Sequence, residues 1–173
     1  EEYMSSSPDD VANADIPLIF ISFPSSKDPT FNKKFPGKTA CTVVTMAKWE
    51  WFSRWQNERV NKRGDDYEAL KMAIGRRMWE QTLTYYPQLA DKVEHFEVGT
   101  PASNNYYLGA PRGETYGLDH SARRFGSPDI MMKLRPETDV PGLMLTGQDI
   151  LSCGFAGAMF AGLLCASTIL HRN

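Results

Sequence analysis

The run from Gly154 to Leu170, GFAGAMFAGLLCASTIL, holds 17 residues without a charge and constrains the chain more than any other segment. Its length and unbroken apolar content predict a helix. Glycine inside a helix costs about 0.5–1 kcal/mol relative to alanine, so Gly157 and Gly162 call for a packing reason. Together with Gly154, Ala158 and Ala161 they offer a small-residue surface that another backbone or a planar ligand can approach closely. Two placements fit such a helix. At 17 residues it is short of the ~20 that a bilayer span needs. Gly142 to Thr146 reads as a short buried strand just before it, with 147 to 152 as the exit turn, and a buried core helix follows naturally from that arrangement.

A chain of 173 residues is enough for one substantial domain or for part of a larger protein. It opens Glu-Glu-Tyr-Met, which reads as an internal start and shows no signal core. Lys and Arg number 19 against 21 Asp and Glu, a net charge of -2, so no broad electrostatic footprint for nucleic acid or for an anionic membrane is expected, and only local patches stay open. The cysteines Cys41, Cys153 and Cys165 form no close pair, and with only His95, His120 and His171 beside them no metal site is expected.

Along the chain, the apolar run 16 to 23 predicts a strand, the stretch 24 to 39 with Pro24, Pro29, Pro36 and Gly37 an irregular connection, and 39 to 49 a second strand. The aromatic cluster WEWFSRW, 49 to 55, suits a strand end or a short helix equally. Asp65 or Asp66 is placed to cap a helix running to about Tyr86, with Leu70, Ile74 and Met78 as its apolar stripe and Pro87 as its stop. Residues 93 to 101 alternate loosely enough for one more short strand.

Two segments carry candidate chemistry. The turn through Thr146, Gly147 and Asp149 into the last helix suits a cofactor cradle, because a carboxylate accepts hydroxyl hydrogen bonds and helix N–H groups face electron-rich atoms. The alternative is that Asp149 caps the helix and Gly147 makes the turn. In NNYYLGAPRGETYGLDH, 104 to 120, glycines allow close loops, Tyr107 and Tyr116 can pave an apolar pocket, and Arg112 can orient a polar group or pair with a carboxylate. His120 beside Asp119 lacks a placed nucleophile and is not expected to be catalytic, and Cys153 is expected to be structural.

The runs YYLGAPRGETYGLDH and VPGLMLTGQDILSCGFAGAMFAGLLCASTIL closely resemble the C-terminal portion of the retinol saturase family, the all-trans-retinol 13,14-reductases, and more distantly the phytoene-desaturase and carotenoid-isomerase flavoproteins. The likeness extends from about residue 16 to the end. It implies a fragment of an FAD-dependent oxidoreductase with an α/β fold and an α+β substrate region, the alternatives being a polyene desaturase or isomerase, or a noncatalytic lipid-binding or interaction module of the same fold. Residues 1-110 would form the substrate-side region, 111-136 a connecting, active-site-facing segment, and 137-173 the last strand and helix of a Rossmann-like FAD-binding domain. The TGQD form departs from the simpler TGD of many relatives.

On the same resemblance Thr146, Gly147, Asp149, Gly154, Gly157 and Ala158 would bind cofactor. Tyr107, Arg112 and Tyr116 would bind substrate, with Tyr116 a candidate proton-relay group. FAD is the implied cofactor, with NAD or NADP as electron donor. A retinoid or another polyene is the implied substrate, and an endoplasmic-reticulum setting, lumenal or membrane-associated, is the implied location. The GxGxxG segment that cradles a dinucleotide pyrophosphate is absent from these residues, so the N-terminal part of the same enzyme is the implied partner and activity of this segment alone is not expected.

Overall fold

A run of helix formers interrupted every third or fourth residue by Tyr67, Leu70, Ile74 and Met78 folds as the longest helix of the chain, α4 (Gly64–Tyr85). The computed structural model describes residues 2 to 171. Before α4 come α1 (Glu2–Ser5), α2 (Pro8–Val11), β1 (Phe20–Ser22), α3 (Phe31–Lys34) and β2 (Thr42–Val44). After it come α5 (Pro101–Leu108), α6 (Ala122–Gly126), α7 (Pro128–Lys133) and α8 (Gly154–Leu170). The chain divides into two compact units, 1–114 and 115–173.

In the first unit α4 begins at Gly64, whose φ of +80° suits glycine, and carries Asp65 and Asp66 in its first turn rather than as caps. WEWFSRW forms two short 3-10 turns that send Trp51, Phe52 and Trp55 inward. Phe52 and Trp55 meet Tyr67 of α4 edge-on at centroid distances of 6.1 and 5.3 Å. Tyr3 and Val11 from the first two helices, Ile16, Ile74 and Ala102 complete this core. Phe52 is 2% exposed, and its replacement by alanine should cost about 3–5 kcal/mol, read as a lower midpoint in a urea melt.

Arg63 is buried beside that core and donates to the Tyr67 hydroxyl at 3.1 Å and the Ala102 carbonyl at 3.0 Å. Thr100 and Ser103 close a capping box on α5, with Pro101 in the first turn and Gly109 in the left-handed conformation after its end.

β1 and β2 pair antiparallel with Ile21 opposite Val43, and they form the only sheet among the described residues. The strand expected at 93 to 101 is not one. This stretch crosses α4 at Gly75, where a Cβ would lie 2.4 Å from Val98 Cγ2, and Phe96 meets Trp79 edge-on at 6.5 Å. Its amides find no ladder, so its side chains, not its backbone, fix its path.

In the second unit the expected buried strand from 142 to 146 is reduced to a single antiparallel bridge between Glu137 and Met144, and Leu143 and Leu145 are each 48% exposed. A strand needs a neighbour along its whole edge, and here only Pro136, whose carbonyl accepts the Leu145 N–H at 2.7 Å, extends the pairing. α8 has the expected bounds but not the expected burial: Gly157, Ala161 and Cys165 are buried on one narrow face while Phe155, Leu163 and Leu170 are 84%, 60% and 61% exposed. The chain is therefore mostly helical with one small antiparallel sheet, and no Rossmann layer of parallel strands is present among the described residues. Among them no helix is long and apolar enough to cross a membrane.

Candidate functional site

In the second unit two turns are fastened to each other, residues 117–120 and 146–153. Asp149 does not cap α8. Its Oδ1 accepts the Leu118 N–H at 2.8 Å, and its carboxylate lies over the Cα of Gly117, where a Cβ would be 2.3 Å from Oδ1. Only glycine at 117 leaves room for that carboxylate in its present position.

Arg124 answers from the other side. Ser121 Oγ accepts the Arg124 N–H at 3.3 Å and starts α6, whose short turn places the Arg124 side chain between the two turns. Arg124 is 6% exposed. Nη1 donates to the Leu118 and Asp119 carbonyls at 3.0 and 3.3 Å, and Nη2 to the Asp149 and Gln148 carbonyls at 2.7 and 3.5 Å. Its Nε is buried without a partner among the described residues. The guanidinium fork can serve two carbonyl pairs at once, which a lysine ammonium cannot do with the same geometry.

A third link fixes the start of α8. The Cys153 N–H donates to His120 Nε2 at 2.7 Å, so Nε2 carries the lone pair and a neutral ring carries its proton on Nδ1. The imidazole lies between the rings of Tyr116 and Phe125, at 6.1 and 5.6 Å. Gly147 and Gly154 have φ of +104° and +84°, the left-handed region that glycine enters without strain, and they bend the chain into and out of the turn. Gly157 is the close-packed position: a Cβ there would be 1.9 Å from the Ser152 carbonyl oxygen. Thr146 and Ala158 are exposed beside this assembly.

Within the second unit Asp149 is fixed by its bond to Leu118 and Gly157 by its contact with Ser152, Gly147 and Gly154 form the bends of the same turn, and Tyr116 meets it only through the His120 ring. Tyr107 and Arg112 lie in the first unit. Tyr107 is 68% exposed and stacks edge-on against Tyr106 at 5.0 Å. The Arg112 guanidinium is paired with the Glu50 carboxylate, and its backbone N–H donates to Glu114 Oε2 at 2.7 Å. The loop that holds Arg112 rests on α5: Asn104 Nδ2 donates to the Gly113 carbonyl at 3.1 Å, and Gly113, at φ +72°, would set a Cβ 2.3 Å from the Pro101 oxygen.

Arg124 and His120 are the residues that sequence reasoning missed as organisers. The only local signal for Arg124 is Ser121 three residues earlier, an N-cap pattern that marks the turn but not the burial of its arginine.

Comparison with known proteins places these residues in a wider context. The all-trans-retinol 13,14-reductase of Rattus norvegicus is 48% identical over 168 residues, 97% of this chain and 27% of the relative. That of Homo sapiens is 44% identical over 173 residues, the whole of this chain and 28% of the relative. An inactive all-trans-retinol 13,14-reductase of Danio rerio is 36% identical over 172 residues, 99% of this chain and 28% of the relative. The chain matches a C-terminal-like segment and spans little more than a quarter of the length of these curated relatives. No family model and no solved structure matches it.

Proposed function

We propose, for a chain homologous to all-trans-retinol 13,14-reductases over nearly all of its length, that the whole protein is an FAD-dependent oxidoreductase that saturates the 13,14 double bond of all-trans-retinol. The observation that carries this reading is the 44–48% identity running through the entire segment rather than through one motif. The local geometry supports it. The turn from Thr146 to Cys153 is held in place by Arg124, which donates to the Asp149 carbonyl, and by His120, which accepts the Cys153 N–H.

The residues fit a flavin cofactor. Gly147 and Gly154 keep the turn free of side chains at its two bends, the Thr146 hydroxyl is exposed, and Asp149 has its Oδ1 engaged by Leu118, leaving Oδ2 as an acceptor for a hydroxyl of the cofactor. Gly157 holds α8 against Ser152 so that its first turn, with Ala158 on the exposed side, stands at the site. When bound, FAD supplies the hydride chemistry, with NAD or NADP as the source of electrons.

Tyr107, Arg112 and Tyr116 are assigned to the substrate side. Arg112 is already engaged in an exposed ion pair with Glu50, a weak pairing that an uncharged substrate hydroxyl need not break. Tyr116 carries a phenol able to donate a proton. The exposed apolar side of α8 is assigned to contact with the rest of the same protein, and the endoplasmic reticulum is the proposed location.

One observation favours a second reading. The 36% identity to a relative named as inactive fits a protein of the same build that does not turn over retinol. Incubating the full-length protein with all-trans-retinol and a reducing nicotinamide, followed by mass analysis, separates the two. A product heavier by two hydrogens is expected. Unchanged retinol with bound flavin would leave the noncatalytic reading, a product of the same mass but different chromatographic retention would mark an isomerase, and a product lighter by two hydrogens, formed when an electron acceptor replaces the reduced nicotinamide, would mark a desaturase.

A further inference from the structure

Between β1 and β2 the chain leaves the sheet as a lobe, residues 23–41. Ser25 straps its base: the Ala40 N–H donates to Ser25 Oγ at 3.0 Å, opposite the β pairing of Ser22 with Thr42. No residue from 24 to 41 is buried, and only Ser25, Phe31 and Ala40 are partly covered.

The composition of this lobe runs against the rest of the chain. It contains Lys27, Lys33, Lys34 and Lys38 and the single acid Asp28, four positive charges less one negative, a net +3. With -2 for the whole, the remainder carries -5. Asp28 is engaged within the lobe, accepting the Thr30 N–H and hydroxyl, both at 2.8 Å, bonds that hold its carboxyl below its ordinary value. Lys38 pairs with Glu94, whereas Lys27, Lys33 and Lys34 have no ion-pair partner among the described residues.

The single turn of α3 sets Phe31 and Phe35 on one side, their rings 5.2 Å apart, and Phe35 is 51% exposed. Pro29, Pro36 and Gly37 bound the turn and keep it from extending.

We infer that this lobe docks on an anionic lipid surface, with Lys33, Lys34 and Lys27 facing the headgroup phosphates and Phe35, backed by Phe31, entering the headgroup layer. Lysines around an exposed phenylalanine are the residues that a charged, apolar-edged interface selects. Residues 24–41 contain no arginine, the side chain that reads nucleic-acid phosphates bidentately, and the two rings pack on each other instead of standing open to bases. The negative remainder of the segment is repelled by the same surface, so this lobe would be its point of contact.

The test is sedimentation of the full-length protein with phosphatidylcholine vesicles, with and without phosphatidylserine, at low and high salt. Binding should require phosphatidylserine and weaken with salt. The double variant Lys33→Glu with Lys34→Glu should lower partitioning about tenfold or more, and Phe35→Ser several-fold, with unchanged helical circular dichroism because all three side chains are exposed. Wild-type binding by both variants would overturn the inference. So would loss of binding on Phe155→Asp in α8 with the lysine variant unaffected, or tighter binding to RNA than to the anionic vesicles.

Discussion

Valine in place of Gly157 should lift α8 from the second unit. The first carbon of any side chain there would lie 1.9 Å from the Ser152 carbonyl oxygen and 2.5 Å from its carbon, and both are backbone atoms that cannot rotate away. The helix would move bodily, taking the buried face of Gly157, Ala161 and Cys165 with it. Overpacking usually costs about 1–3 kcal/mol, and contact with fixed backbone belongs at or above the top of that range. A lower urea midpoint measures it. Gly162 is the built-in comparison: nothing lies within 4 Å of its Cβ position, so Gly162→Ala should stabilise the helix by about 0.5–1 kcal/mol. Equal losses from the two substitutions would show that the Ser152 contact does not hold α8.

The second large effect is expected at Arg124. Arg124→Met keeps much of the apolar stem but leaves the carbonyls of Leu118, Asp119, Gln148 and Asp149 without their donor. A fully buried unpaired carbonyl costs about 1–3 kcal/mol, and these four are only part-buried and open to replacement by water, so a net loss of about 1–3 kcal/mol in all is expected. The variant should also weaken flavin retention more than its stability loss explains, because residues 148 and 149 would no longer be fixed. Arg124→Lys should fall between, since one ammonium cannot span both carbonyl pairs. Hydrogen exchange at the Leu118 amide reads the local effect directly, because that amide is held by Asp149. Protection equal to wild type in Arg124→Met would contradict the bracing role.

The parts of the fold legible in the sequence are those set by local periodicity. α4 follows from a stripe at helical spacing and a proline after its end, and α8 from an uncharged run between two turns. The strands at 20–22 and 42–44 are legible as two β-prone runs around a proline-rich connection, while their antiparallel pairing is seen only in the fold. The burial of α8 was not legible. Apolarity records what a surface requires, and it does not say whether these residues themselves cover it. Gly142 to Thr146 failed as a strand for a related reason, since strand propensity is realised only where a neighbouring edge exists.

At the site, the turn residues Gly147 and Asp149 could be singled out because glycine and a carboxylate before a helix carry local meaning. Arg124 and His120 could not, because each acts across 24 to 33 positions of chain on backbone groups that any residue presents. Asp149 was assigned the choice of a helix cap or a cofactor acceptor, and its bond to Leu118 is a third arrangement that only the tertiary fold creates.

The central claim is that Thr146 to Ala158 forms one wall of a flavin site in the whole protein. The most direct measurement is the visible absorption spectrum of the purified full-length protein beside its Asp149→Ala variant, after incubation with FAD and removal of the excess. The account predicts flavin bands in the wild type and markedly less bound flavin in the variant, at similar helical content. A wild-type protein that retains no flavin, or a variant that retains as much as the wild type, would contradict it.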